Sequence, residues 1–349
     1  MKLRSMTCAL GSTVFALALV CSASAAGASA PGSLAQGQWQ GEIANLPTPG
    51  HGCYHASYPA LQWQATACLV APNLPFAPHV PTQGVPAVVG NGHDYAAQVT
   101  GTLSKATGTF THVTTGITEK GRVGNVGPNL ANAFSLQLNS EFFSDPPACS
   151  GAAVPSQCLG WQQYVYAFHY SADTNLVFMQ YWMLYYDTTC PAGWHTDVSG
   201  RYTFCYMNSP ATSYGSLPAG ALGQTTFVGQ AASGGNDTLT LSSPSGASSV
   251  SNSDSVLDLS AFWNATEWGV FGDAGGAQAK FGADSKLEPV TTLQGTSSSA
   301  PTCVVDGFTG ETNNLNFTKT KALGTESSPT MAATQTDGVV KTPSCQVAG

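Results

Sequence analysis

From Asn91 onward the chain never sustains a helical period. The runs DYAAQVTGTL, GTFTHVTTGI, NAFSLQLNSEFF, GWQQYVYAFHY, NLVFMQYWMLYY, GRYTFCYM, DTLTLSS, DSVLDLSAFW, TEWGVF and LEPVTTLQ follow one another, each short, rich in β-branched or aromatic residues and closed by Gly, Pro, Asn or Ser. About ten such runs with no amphipathic helical segment between them predict an all-β chain folded as an antiparallel β-sandwich. The run is long enough to bury one substantial core, so a single β-domain is expected over residues 90–300.

The flanks read differently. Residues 31–89 are rich in Pro, Gly and Ala, and Pro72, Pro75, Pro78 and Pro81 recur at near-regular intervals. Such a stretch suits irregular or extended chain better than central strands. It is expected to be a pro-segment or an N-terminal extension clipped to the body by a disulfide. Residues 231–255 look low in complexity, but the alternation DTLTLSS inside them predicts a hairpin. Residues 301–349 form a polar C-terminal extension holding Cys303 and Cys345.

Residues 1–25 have the layout of a secretory signal peptide: Lys2 and Arg4, an apolar run from Val14 to Val20, then Ala23-Ser24-Ala25. No later stretch approaches the roughly 20 apolar residues of a membrane helix, so an exported, extracellular chain with no membrane partner is expected. Removal of the signal leaves nine basic residues against 19 acidic ones. Such a surface repels phosphate backbones, which argues against nucleic-acid binding. Charged residues are only 9 % of the chain, against about 25 % in ordinary soluble domains. A surface of neutral polar groups loses little when carboxylates protonate, and so fits an acidic medium.

Of ten cysteines, Cys8 and Cys21 lie in the signal. The remaining even set in an exported chain reads as disulfides. Spacing suggests the local pairs Cys53 with Cys68, Cys149 with Cys158, Cys190 with Cys205, and Cys303 with Cys345. No CxxC is present, and although His51 and His55 stand four apart, the glycines around Cys53 make a metal-binding helix face improbable. No metal and no cofactor is expected. Paired cysteines and one sandwich are compatible with a monomer.

The chain has no GxSxG, no HExxH, no phosphate-binding glycine loop and no EF-hand loop. The carboxylate that stands out is Glu267, inside the aromatic strand Ala265-Thr266-Glu267-Trp268-Gly269-Val270-Phe271. Strand alternation gives it the small neighbours Ala265 and Gly269 on its own face, which leaves room for a ligand or a water. In GWQQYVYAF, Trp161, Gln163 and Val165 share one face; in LVFMQYWMLYY, Phe178, Gln180, Trp182 and Leu184 share one face. A glutamine among large apolar side chains requires a hydrogen-bond partner if buried. The aromatic cluster Tyr164, Tyr166, Tyr181, Trp182, Tyr185 and Tyr186 is either core or a platform on which sugar faces stack.

These residues resemble the eqolisins, the secreted glutamic peptidases. Asn264-Ala265-Thr266-Glu267-Trp268, followed by GDAGG and AKFG, is similar to the family's Asn/Ser-Ala-Glu-Trp strand with one extra residue before the glutamate. FSLQLN, the Cys149 to Cys158 loop and then GWQQYV are similar to the segment that carries the family's glutamine. FSLQLN departs from the family in lacking its tryptophan and aspartate, and Met183 stands where an acidic residue is expected. The resemblance implies a concanavalin- or lectin-like jelly roll and an acid endopeptidase acting on a polypeptide substrate. It implies Glu267 as general base and Gln163 as its partner, with Gln180 as the alternative glutamine. Trp182, Tyr181 and Trp268, with Gln180, are expected to line the substrate cleft. The alternative is a non-catalytic β-sandwich that binds carbohydrate or cell-wall polymer, and a third is a matrix protein with no small ligand.

Overall fold

The computed structural model describes residues 31–78, 95–144, 146–168, 174–244, 246–296, 299–304, 309–323 and 329–337. The expected signal segment, Pro81 and Cys345 lie outside them. The described chain is an antiparallel β-sandwich. One nine-stranded sheet runs in the order Gln64–Thr66, Gly52–Ala56, Gly246–Ser253, Asn236–Ser243, Thr226–Gln230, Leu103–Thr111, Lys286–Gly295, Thr330–Thr336, Asn316–Leu323. The second sheet runs in the order His195–Ser199, Tyr202–Asn208, Asn175–Leu184, Leu159–Ala167, Phe134–Ser140, Ala265–Gly272, Ala96–Gln98, Thr302–Val304, with three short strands beside this path. A small third sheet holds Glu119–Gly121 and Gln278–Phe281.

Side-chain alternation explains how the sheets stack. In Phe134–Ser140, Leu136 and Leu138 point to one face and Ser135, Gln137 and Asn139 to the other. The same alternation sends Tyr164, Tyr166, Val177, Met179, Tyr181, Trp268 and Val270 between the sheets, where they share one core with Ala106, Phe110, Phe227, Leu239, Leu241 and Leu293. Trp268 shows how close the fit is. Its ring stacks on Phe227 at 5.2 Å and lies 4.9 Å from Phe110, while its Nε1 donates to the Thr109 carbonyl at 3.0 Å. A Cβ on Gly108 would sit 2.3 Å from that ring, so only glycine allows the contact.

Three readings of the sequence are corrected. Pro31–Asn45 is an α-helix, not irregular chain. Trp39 and Ile43, one turn apart, bury against Tyr54, Ala56, Trp63 and Ala247, so packing overrides the local Gly content. The strand Gly52–Ala56 pairs with Gly246–Ser253 and belongs to the nine-stranded sheet. DSVLDLSAFW is no strand but a tight turn leading into the short helix Leu259–Phe262. There the Asp254 carboxylate accepts from the Ser260 amide at 3.0 Å and its hydroxyl at 2.7 Å, and Asp258 takes a left-handed φ of 54°. DTLTLSS is the first arm of a hairpin, with Asn236–Ser243 paired to Gly246–Ser253.

Cys53–Cys68, Cys149–Cys158 and Cys190–Cys205 are disulfides. Cys303 is also disulfide-bonded. Among the described residues no helix is long and apolar enough to cross a membrane.

Candidate active site

The central strands of the second sheet are buried on both faces: every residue of Phe134–Ser140, Asn175–Leu184 and Ala265–Gly272 is buried. The face turned away from the sandwich core is covered by chain from both flanks. On it an in-register polar row crosses five strands. Glu267 stands opposite Asn139, Asn139 opposite Gln163, Gln163 opposite Gln180, and Gln180 opposite Asn208. Neighbouring strands are about 4.8 Å apart, so Glu267 and Gln163 are separated by roughly 10 Å of backbone with Asn139 between them.

Hydrogen bonds tie the row together and fix its amides. The Trp182 indole can only donate, and its Nε1 reaches both Gln163 Oε1 at 3.1 Å and Gln180 Oε1 at 3.0 Å. Gln163 therefore turns its Nε2 toward Gln137, donating to Oε1 at 3.0 Å. Asn139 Nδ2 reaches the same Gln137 Oε1 and Glu267 Oε2, each at 3.2 Å. Glu267 and Gln163 are thus linked through Asn139 and Gln137. Gln137 Nε2 in turn donates to Ser135 Oγ at 2.9 Å and approaches Glu311 Oε2 at 3.4 Å.

Four further carboxyls frame this face. Glu141 accepts from the amides of Asn264 and Ala265, both at 2.8 Å, and so pins the start of the strand that carries Glu267. Burial pushes Glu141 up to about 7. Burial also pushes Glu311 up to about 7, against hydrogen bonds from Thr309, Gly276 and Gln137. Asp273 is held well above the usual carboxylate range by burial, with the charges of Glu311 and Glu119 adding to it. Burial raises Glu119 to about 8. Desolvated carboxyls of this kind resist ionising, because the charged form is the one that loses water.

Glu267, Gln163, Gln180 and Trp182 share the outer face, and Glu267 is 1 % exposed. Tyr181 and Trp268 do not line it. Each lies one position from a residue of that face, so alternation turns both into the inter-sheet core, where Tyr181 takes a hydrogen bond from Asn252 Nδ2 at 2.9 Å. Tyr164 and Tyr166 point the same way, while Tyr185 packs edge-on against Tyr202 at 4.9 Å. His51 bonds Asn252 and His55 bonds Ser57. Asn139, Gln137, Asn208 and Glu311 were not singled out from the sequence. The signal for the first two was present in FSLQLNS, where the polar Ser135, Gln137 and Asn139 alternate with two leucines that face the core.

No family model matches the chain, and no curated protein matches it. Among solved structures, a scytalidoglutamic peptidase crystallised with a peptide-based transition-state analogue is a weak neighbour. It is 10 % identical, the match covers 69 % of this chain and 97 % of that one, and the TM-score is 0.30.

Proposed function

We propose that the chain is a secreted acid endopeptidase of glutamic type, with Glu267 as general base and Gln163 as its amide partner. The observation that carries the reading is the row itself: one carboxylate joined through Asn139 and Gln137 to an amide whose orientation Trp182 fixes. Water held by Glu267 attacks the scissile carbonyl carbon as its proton passes to the carboxylate. The N–H of Gln163 stabilises the oxyanion, and the proton then goes to the leaving amine as the C–N bond breaks. Asn139 orients the carboxylate, and Gln180 belongs to the substrate groove. Trp182 acts as a positioning residue. Three disulfides fit export to an oxidising compartment.

The test is casein hydrolysis at acidic pH by the protein and by Glu267→Gln, each with and without Phe76→Gly, which removes a buried ring packed beside Phe178 on the same face. Pepstatin- and EDTA-insensitive hydrolysis that disappears in Glu267→Gln is expected. Equal rates with and without the substitution would remove Glu267 from the mechanism.

A further inference from the structure

The outer face of the second sheet is occupied by the chain itself. Residues 72–78 cross it with their main chain engaged on alternate sides. Toward the sheet, the Pro72 carbonyl accepts from Asn208 Nδ2 at 3.0 Å, the Leu74 carbonyl accepts from Gln180 Nε2 at 3.1 Å, and the Phe76 amide donates to Gln180 Oε1 at 2.8 Å. On the other side, the Pro75 carbonyl accepts from the Gly275 amide at 2.9 Å and the Ala77 carbonyl from the Gly310 amide at 2.8 Å, a bond that sets Pro78 opposite Thr309. Even residues bonding one way and odd residues the other is the signature of extended backbone. The Gln180 amide, giving one N–H and taking one, does for residues 74 and 76 what a neighbouring strand's peptide group would do.

The side chains follow the same geometry. Phe76 is fully buried, 6.0 Å ring to ring from Phe178, in a pocket shared with Val165, Ala211 and Ala274. Leu74, two positions earlier, borders an open apolar cavity of about 250 Å³ lined by Val123, Val126, Pro128 and Leu130. The proline spacing fits as well. Pro75 lacks only an N–H on the side turned from Gln180, and prolines at 72, 75 and 78 hold the chain extended at little entropic cost.

We infer that residues 72–78 are an intramolecular pseudosubstrate in a groove built for extended polypeptide. In that groove Gln180 and Asn208 clamp the main chain, and two apolar pockets select bulky side chains at alternate positions. This deepens the peptidase reading by naming the substrate class and the block that must leave before substrate enters. A cis occupant lowers apparent affinity by the fraction of time the groove is empty, so loosening it tightens binding in trans.

The experiment measures binding of a fluorescent peptide of sequence APNLPFAP, residues 71–78, by anisotropy in a Glu267→Gln background, where hydrolysis does not interfere. Phe76→Gly is expected to bind the peptide at least about tenfold tighter than the parent. Adding Gln180→Leu should abolish the gain, and a peptide with Asp in place of Phe should not bind. Equal binding with and without Phe76→Gly, or a gain indifferent to Gln180→Leu, overturns the inference. Should Phe76→Gly fail to fold, amide exchange in the parent decides. Excess peptide should speed exchange at the Phe76 amide, and no change there overturns the proposal. Peptide capture without casein hydrolysis would sink the peptidase reading alone; casein hydrolysis without peptide capture would sink the groove alone.

Discussion

The two faces of the second sheet are made by the same strands and do opposite things. The inner face presents Leu136, Leu138, Tyr166, Val177, Met179, Trp268 and Val270 to the other sheet and is closed by apolar packing. The outer face carries Ser135, Gln137, Asn139, Gln163, Gln180 and Glu267, all as buried as the inner face, and the half-buried Asn208. Packing alone does not require amides there, because each buried amide costs free energy unless all its partners are supplied. Several of those partners are main-chain groups of the crossing segment. The inner face is mainly apolar and joins the two sheets, whereas the outer face sets side-chain amides among apolar residues, and two of those amides, Gln180 and Asn208, bond the crossing segment.

The comparison breaks most sharply at Glu267. Glu267→Gln keeps size and hydrogen-bonding capacity, so the fold should persist while acid proteolysis falls by roughly 10²–10⁴, the usual worth of a general base. The check is hydrolysis rate beside an unchanged circular-dichroism melt. On the inner face the expectation reverses. Trp268→Ala empties the space above Gly108 between Phe110 and Phe227 and should cost about 3–5 kcal/mol of stability by chemical denaturation. If Trp268→Ala were neutral and Glu267→Gln unfolded the protein, the assignment of the two faces would be reversed.

Much of this was legible in the sequence because a period of two is a strong signal. Alternation grouped Trp161, Gln163 and Val165 within GWQQYVYAF and Phe178, Gln180, Trp182 and Leu184 within LVFMQYWMLYY, and the register between the two strands puts both groups on one face. Applied as strictly to Tyr181 and Trp268, it would have placed them in the core, since each adjoins a residue of the outer face. Asn208 and Glu311 were out of reach for another reason: the pairing register of two neighbouring strands brings Asn208 to Gln180, and a distant C-terminal segment brings Glu311 to Gln137. The helix Pro31–Asn45 was hidden because tertiary burial of Trp39 and Ile43, not local propensity, decides it.

Acidity sharpens the comparison further. Asp237, on the inner side, is raised by burial and by the neighbouring Asp254, and it accepts from Gln162 at 2.7 Å. Asp273 and Glu311 are raised near the outer face, Glu311 to about 7. A carboxyl raised on folding keeps a proton that the unfolded chain, with an ordinary value of about 4, gives up. Unfolding then releases protons, so the contribution is fully present below about pH 4 and is lost as pH rises through the folded values. Thermal midpoints should therefore be higher at pH 4 than at pH 8. Glu311→Gln, which mimics the protonated acid, should flatten part of that slope, and Asp237→Asn another part. A midpoint that climbs with pH would contradict both assignments.

The smallest effect tests how the crossing segment is held. Gly310 donates to the Ala77 carbonyl, and a Cβ there would meet that oxygen at 2.8 Å. Gly310→Ala must therefore push residues 76–78 outward by a few tenths of an ångström while leaving Gln180, Asn208 and the inner core untouched. Peptide binding in trans should improve by about two- to fivefold, less than with Phe76→Gly, since one hydrogen bond of about 1 kcal/mol is weakened rather than a ring removed from its pocket. The global melt should move little, because the segment's bonds lie outside the inter-sheet core. If Gly310→Ala instead lowered the melt as much as Trp268→Ala does, the crossing segment would be part of the fold rather than an occupant of its groove.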